Sequence, residues 1–246
     1  MRQNKRVKAL GPFLFLIPAW LVCMTAAVAL AQADEQRPSV NLIVARMTAV
    51  LQQSRNGQRA FTVRRDYQLF DKKWESKAQV VARISFTPPD QLRYEVEKSR
   101  GGIGEKILRD MLDREMEALH EVSRRELSTR NYDFELAGEE TVDGRRCHVL
   151  ALYPKREERD LIRGRALVDA ETYRLLRLEG TPVKSPSWWI RDLQITMRFA
   201  DVDGTWMRTL MQAVANVRFK GRYVVESRNL ESRSESAAAS AGTREF

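Results

Sequence analysis

Residues 193–199 read LQITMRF and place an apolar side chain at every second position. Successive side chains of a β-strand point to opposite faces of the sheet, so this segment predicts a strand that is apolar on one face only. The same alternation recurs in residues 61–69, 80–86 and 92–96. A chain with this many alternating segments is predicted to be mainly β, with helices as a minor component.

The connections between these segments are short turns. Asp143-Gly144 and Asp203-Gly204 each join two alternating segments, and Asp-Gly at such a position is typical of a tight hairpin. Parallel strands need long crossover connections, so the short turns predict an antiparallel sheet of nine or ten strands. A sheet this wide with one apolar face is expected to curve.

Two segments have the three- and four-residue spacing of amphipathic helices. The first begins at Val40 and ends at Asn56-Gly57, and the second is predicted from Glu105 to about Leu127. The apolar stripe of the second helix includes Leu108, Met111, Leu112 and Met116. These two helices are the elements available to cover the concave apolar face of the sheet.

The first 33 residues have the pattern of a secretory signal peptide. Four basic residues precede a long apolar segment, and no acidic residue occurs before Asp34. Residues 31–33 read Ala-Gln-Ala, the small-x-small pattern that a signal peptidase accepts, so cleavage is predicted after Ala33. The alternative is an uncleaved anchor in the inner membrane, because the apolar segment is just long enough to span a bilayer. Lipidation at Cys23 is not expected, since Val22 stands where a small residue is required.

Cleavage would leave one domain, residues 34–231, followed by a Ser/Ala-rich tail, residues 232–246, that is expected to be disordered. The signal segment holds four basic residues and no acidic ones, so its removal lowers the formal net charge from +9 to +5. The remaining charges of both signs are mixed, as in residues 156–160, which read REERD. This mixing disfavours a nucleic-acid partner and leaves open a weak attraction to anionic lipid surfaces.

The residue pattern predicts neither a catalytic site nor a metal site. Cys147 is the one cysteine that remains after cleavage, which excludes an intrachain disulfide. It directly precedes His148, so the two side chains are expected on opposite faces of a strand, where they form no activated thiol pair. His120 and His148 are the two histidines of the chain, and neither lies in a metal-binding spacing. We therefore expect a binding protein without a cofactor rather than an enzyme.

Two further features each allow two interpretations. Met111 and Met116 on the second helix either line an adaptable binding surface or belong to an ordinary core. Trp188 and Trp189 follow a Pro/Ser-rich loop and lie either at a membrane surface or pocket mouth, or in the core. Burial in the core is the commoner outcome for both features.

Six segments recur in a characteristic order along the domain. They are YDF at residues 132–134, GEETVDGR at 138–145, LALYPK at 150–155, VDAETY at 168–173, Lys184, and DVDGTW at 201–206. Together with the order of helices and strands, they resemble the LolA/LolB superfamily of periplasmic lipoprotein carriers, and more closely the outer membrane lipoprotein-sorting proteins. The resemblance implies an unclosed β-barrel whose concave apolar face is lidded by helices and holds acyl chains. No single position matches the arginine with which the family's carrier controls its lid.

We accordingly predict a lipid-binding cavity between the apolar sheet face and the second helix. Its predicted lining is Ile84, Phe86, Leu92, Tyr94, Leu108, Met111, Leu112, Met116, Leu193, Ile195, Met197 and Phe199. Alternation places the strand residues on one face, and helical spacing places the helix residues on a matching stripe. The expected function is periplasmic binding and transport of lipids or lipoproteins by a monomer that also meets envelope membrane proteins. The alternative is an envelope-stress sensor or regulator that uses a similar domain.

Overall fold

A computed structural model describes residues 38–89, 91–120 and 125–234 of the chain. The predicted signal peptide with its cleavage site, and residues 235–246 of the predicted tail, lie outside the described residues. Among the described residues, no helix combines the length and the apolar character needed to cross a membrane.

The described part of the chain from Val40 onward forms two helices and ten strands. Helix α1 is Val40–Asn56 and helix α2 is Ile103–His120. The strands are β1 (Phe61–Phe70), β2 (Ser76–Thr87), β3 (Gln91–Arg100), β4 (Tyr132–Val142), β5 (Arg145–Pro154), β6 (Ile162–Asp169), β7 (Leu175–Pro182), β8 (Ile190–Val202), β9 (Thr205–Val217) and β10 (Gly221–Ser234).

All ten strands belong to one antiparallel sheet, in the order β3-β2-β1-β10-β9-β8-β7-β6-β5-β4. Neighbouring strands are consecutive in sequence except for β1 and β10, which pair with each other. Strands β3 and β4 are the two edges, so the sheet is unclosed. This order confirms the predicted fold class, a mainly β domain with an open antiparallel sheet and two helices.

Helix α2 differs from its predicted extent at both ends. It begins at Ile103, two residues before the predicted start at Glu105, and its described part ends at His120. Leu127, the predicted last residue, is outside the helix and is buried in a core that also contains residues of α1. The spacing of apolar residues extends the predicted helix to about Leu127, but spacing along the chain does not reveal which core buries a residue.

Strand β10 continues three residues beyond the predicted domain end at residue 231. Residues 232–234 read Ser-Arg-Ser, a composition typical of a tail, yet they pair with residues 61–63 of β1. Backbone hydrogen bonds to a neighbouring strand hold this polar segment, because the pairing does not depend on apolar side chains.

The apolar side chains of the sheet form a separate core beneath each helix. The α1 core combines Ile43 and Met47 of the helix with residues of β4 to β8. The α2 core combines Leu108 and Leu112 of the helix with residues of β1 and β2, and side chains of β3, β9 and β10 also contribute to it.

Both cores lie on the same face of the sheet. A row of directly paired residues connects them, in the order Tyr67, Ser227, Met211, Met197 and Leu178. Paired residues of antiparallel strands point to the same face, and the row begins in the α2 core and ends in the α1 core. We call this the inner face, and both helices cover it, as predicted.

The opposite, outer face has a smaller apolar cluster near the β4–β5 turn. Cys147, Val149 and Leu167 are buried there. His148, the next residue after Cys147, is buried on the inner side, with its ring centroid 6.3 Å from that of Tyr173. The side chains of Cys147 and His148 therefore diverge across the strand, as predicted.

Candidate functional site

Helix α2 lies directly on the sheet. Leu108 and Leu112 are fully buried against β1 and β2, and Met111 and Met116 are partly buried beside them. Gly104 allows the first turn of the helix to approach the sheet, because a Cβ atom there would lie 2.8 Å from the Cβ of Ala78. Helix and sheet are thus in direct contact along this interface.

The structure divides the twelve predicted lining residues between the two cores. Ile84, Leu92, Leu108, Met111, Leu112 and Met116 belong to the α2 core. Ile195, Met197 and Phe199 of β8 pack instead against the α1 core, and Leu193 is half-buried on the same strand. Strands β9 and β10 separate β8 from β1, so these four residues lie across the sheet from α2, whereas Val202 at the end of β8 packs against the α2 core.

Two predicted lining residues lie at the edge of the α2 core. Phe86 stacks on Phe61, with ring centroids 5.5 Å apart. Tyr94 is 38% exposed, and its hydroxyl donates a hydrogen bond to Oδ1 of Asp113 on α2. Arg109 of the helix also donates from Nη2 to the Ser99 hydroxyl of β3, at 2.9 Å. Polar contacts therefore attach the helix to the edge strand of the sheet.

Small and flexible side chains line the inner face between the two cores. Met211 lies opposite Met197, and Ala213 lies opposite Ile195 on β8 and Val225 on β10. Met211 is buried, and the other four are half-buried. We call these five residues the central strip, and it extends the apolar surface of the α2 core across the middle of the sheet.

A buried group of charges joins α2 to the sheet. Oε1 of Glu115 accepts a hydrogen bond from Nη1 of Arg65 on β1 and lies 2.6 Å from Nη2 of Arg208 on β9. Oε2 of Glu115 accepts a hydrogen bond from the hydroxyl of Tyr67, at 3.0 Å. The side chains of Glu115, Arg65 and Arg208 are only 15%, 8% and 16% exposed. We call these four residues the Glu115 cluster.

The sheet holds the Arg65 side chain of this cluster in place. Nε of Arg65 donates to Oδ1 of Asn229 at 2.8 Å, and Nη2 of Arg65 donates to the carbonyl oxygen of Arg208 at 3.3 Å. Asn229 also donates from Nδ2 to the same carbonyl oxygen, at 3.2 Å. The Arg65 guanidinium is therefore fixed on the sheet by bonds that do not involve Glu115, which is the member of the cluster that belongs to the helix.

The environment of Glu115 keeps its carboxylate ionised. Burial alone would raise its pKa, but the charges of Arg208 and Arg65, with the hydrogen bond from Tyr67, outweigh burial and lower the pKa from 4.5 to about 2. Burial and the charge of Glu115 raise the pKa of the Tyr67 hydroxyl, which stays protonated as a donor. The cluster is thus a permanent ion pair at neutral pH.

The sequence analysis did not predict the Glu115 cluster, although two of its members interrupt apolar patterns in the sequence. Arg65 occupies the apolar register of β1, between Val63 and Tyr67, so it breaks the alternation. Glu115 falls within the helix stripe, three residues after Leu112. Arg208 has no such signal, because a register shift in the β8–β9 pair places it opposite Phe199 on the inner face.

A concavity of about 550 Å³ lies on the outer face, over strands β4 to β8. Its floor contains Gly138, Gly164 and Gly180, and its rim includes Arg165, which donates a hydrogen bond from Nε to Glu179 at 2.9 Å. None of the twelve predicted lining residues belongs to it. Its charged rim also differs from the apolar lining that was predicted for an acyl chain.

Comparison with known proteins gives similarity at the level of solved structures only. No protein-family model matches the chain, and no curated protein matches it. A DUF1329 family protein from Desulfovibrio piger is 15% identical, with a TM-score of 0.41, over 78% of this chain and 93% of that protein.

Two other similar structures carry names that refer to lipoprotein sorting or to the LolA superfamily. An outer membrane lipoprotein-sorting protein domain from Vibrio parahaemolyticus is 13% identical, with a TM-score of 0.40, over 77% of this chain and 92% of that domain. A LolA superfamily protein from Nitrosomonas europaea is 13% identical, with a TM-score of 0.37, over 80% of this chain and 94% of that protein. At these identities the side chains of this protein must decide what it binds.

Proposed function

We propose that the protein binds acyl chains of lipids or lipoproteins in the bacterial periplasm and acts as a carrier rather than as an enzyme. The acyl chain would lie on the inner face of the sheet, between α2 and the central strip. The observation that carries this proposal is the helix itself, whose Met-bearing apolar stripe covers an open apolar sheet and is tied to it by a buried carboxylate.

The energetics of entry favour a long apolar ligand. Opening the helix exposes Leu108 and Leu112 and breaks the contacts of Glu115, which together cost several kcal/mol. Each methylene group that leaves water contributes about 0.8 kcal/mol. A chain of about ten buried methylenes therefore offsets the opening, whereas a small polar ligand does not.

The methionine side chains on the helix and on the facing sheet suit ligands of variable shape. Met111 and Met116 on the helix and Met197 and Met211 on the sheet are unbranched and adapt to irregular apolar surfaces. Met211 and Met197 lie directly opposite each other at the middle of the inner face. This arrangement supports binding of several chain types over recognition of one rigid molecule.

A charge placed under α2 tests the proposal. Met116→Asp is expected to reduce the affinity for a fluorescent fatty acid at least tenfold, because an aspartate in an acyl channel is left without water or a partner. Ile107→Asp is the matched control, since Ile107 is 38% exposed on the same helix and its substitution leaves binding unchanged. Normal folding of Met116→Asp with parental affinity would remove the basis for an acyl site beneath the helix.

Mass spectrometry of molecules extracted from the natively purified protein identifies the ligand class. Copurified phospholipid or lipoprotein acyl chains are the expected result. Recovery of an envelope regulatory protein without any lipid would favour the alternative function, in which the domain senses envelope stress through a protein partner. The open edge strands β3 and β4 are the elements that a partner segment would extend.

A further inference from the structure

Three connections between strands meet at one end of the sheet. They are residues 71–75 between β1 and β2, residues 183–189 between β7 and β8, and residues 218–220 between β9 and β10. The Arg218 amide donates to the carbonyl oxygen of Trp189 at 2.9 Å, which joins the second and third connections. A Cβ atom at Gly221 would lie 3.9 Å from Cδ of Lys72, which places the first connection beside the third.

These connections expose large aromatic side chains. Phe219 is 100% exposed, Trp188 is 75% exposed, Trp74 is 59% exposed and Trp189 is 37% exposed. Single exposed apolar side chains are common on soluble proteins, whereas a group of exposed large aromatic side chains from neighbouring connections is typical of an interaction surface. The interpretation of Trp188 and Trp189 as core residues is therefore not supported by their exposure.

The same connections carry an excess of positive charge. Lys72, Lys73, Lys184, Arg218 and Lys220 are all exposed. Within the part of the chain that the structure describes, none of these five forms an ion pair. The acidic residues nearby, Asp71 and Glu75, are both paired with Lys77, at 3.1 Å and 2.5 Å. We call the exposed aromatic and basic residues of the three connections the aromatic–basic patch.

The start of α2 lies next to this patch. Ile103 is 80% exposed at the first residue of the helix. The nearby Gly101 and Gly104 approach Lys77 and Ala78, which lie two and three residues after the β1–β2 connection. A Cβ atom on Gly101 would lie 2.5 Å from the Lys77 carbonyl oxygen. The exposed Ile103 at the start of α2 thus extends the patch on the side of β2.

We propose that the aromatic–basic patch docks the protein onto an anionic bilayer surface. Tryptophan and phenylalanine rings occupy the interface between headgroups and acyl chains, and Lys and Arg are attracted to the negative surface potential of anionic lipids. Arg218 combines both contributions, since its guanidinium carbon lies 5.7 Å from the ring centroid of Trp188. The docking goes beyond the proposed acyl-chain binding and does not require it, because no residue of the patch belongs to the α2 core or the central strip.

Vesicle cosedimentation with the protein purified from the cell envelope tests the proposal. Vesicles of phosphatidylglycerol and phosphatidylcholine are expected to bind the protein, and vesicles of phosphatidylcholine alone are expected to bind it far more weakly. Removal of three patch charges, in Lys72→Gln/Arg218→Gln/Lys220→Gln, is expected to weaken binding about 100-fold, since each basic residue near an anionic surface contributes about fivefold. Trp188→Ala/Phe219→Ala is expected to weaken it about tenfold.

The matched control is Arg59→Gln/Arg93→Gln/Arg146→Gln, which removes the same charge from exposed positions near the opposite end of the sheet. This control is expected to retain nearly all binding. Equal weakening by the two triple variants would overturn the proposal, because the attraction would then follow net charge rather than the patch. Absence of binding to anionic vesicles would also overturn it.

Fluorescent fatty acid binding by the patch variants is expected to equal that of the parent, so a failure of docking is distinguishable from a failure of acyl-chain binding.

Discussion

Nη2 of Arg208, on a strand near the middle of the sheet, lies 2.6 Å from Oε1 of Glu115, on the helix that covers it. Arg65 and Tyr67 of β1 reach the same carboxylate. One helix side chain therefore bonds to two strands that are separated by β10. Glu115 is therefore the buried contact that joins α2 to β1 and β9, in addition to the polar contacts between the helix and the edge strand β3.

Glu115→Gln is expected to destabilise the protein by about 3 kcal/mol, because it leaves two buried guanidinium groups without a counter-charge. The same substitution is expected to speed the association of fluorescent fatty acid, since the closed position of α2 is weakened. Urea denaturation and stopped-flow fluorescence measure the two effects. Glu117→Gln is the matched control on the exposed side of the helix; an equal loss of stability in that variant would contradict a special role for Glu115.

Acid is expected to weaken the same contact. The pKa of Glu115 is about 2 in the folded protein and 4.5 ordinarily, so below pH 4.5 the unfolded chain binds a proton that the folded chain does not. The stabilisation from this group is complete above pH 4.5 and is lost as the pH falls toward 2, with about 2 kcal/mol lost at pH 3. When the pH is lowered from 6 to 3, the free energy of unfolding is expected to fall by about 2 kcal/mol more in the parent than in Glu115→Gln. Equal falls in the two proteins would show that Glu115 is not the group responsible.

Gly164→Ala is expected to destabilise the sheet by about 3 kcal/mol. Gly164 lies opposite Gly180 in the β6–β7 pair, and a Cβ atom on Gly164 would lie 2.0 Å from the carbonyl oxygen of Glu179. Gly57→Ala serves as the comparison, because its nearest atom would lie 3.3 Å away and a small shift relieves the contact. Thermal unfolding distinguishes the two variants, and similar melting temperatures would show that the β6–β7 approach tolerates a side chain.

Cys147 is expected to be unreactive and dispensable. Burial, and next the charge of Asp169, raise the pKa of its thiol, so little of the reactive thiolate is present at neutral pH. Peptide-level mass spectrometry after treatment of the native protein with maleimide is expected to find Cys147 unmodified. Cys147→Ala and His148→Gln are expected to retain ligand binding, whereas folded variants that have lost binding would indicate a site on β5.

The exported protein is expected to begin at Asp34. N-terminal sequencing of the protein recovered from the periplasm checks this cleavage. A membrane fraction that retains residues 1–33 would instead support the uncleaved anchor.

The sequence predicted the fold well because its strongest signals are local. Alternation identified the strands, Asp143-Gly144 and Asp203-Gly204 identified two hairpins, and helical spacing gave both bounds of α1. The positions of the predicted lining residues across the sheet did not follow from the sequence, because periodicity assigns a residue to a face but not to a position across the width of a sheet. Met197 thus lies in the α1 core, and Arg208 reaches the inner face only through a register shift that its own sequence does not reveal.

The two free edges of the sheet have a mechanical consequence. A closed barrel has a diameter fixed by its number of strands and their stagger, whereas β3 and β4 are not bonded to each other. The ten strands are therefore free to unroll or tighten slightly by small changes of twist shared among nine pairs, without the loss of any hydrogen bond between strands. Under the proposed acyl-chain binding, this freedom would let the inner face adapt to chains of different length and branching.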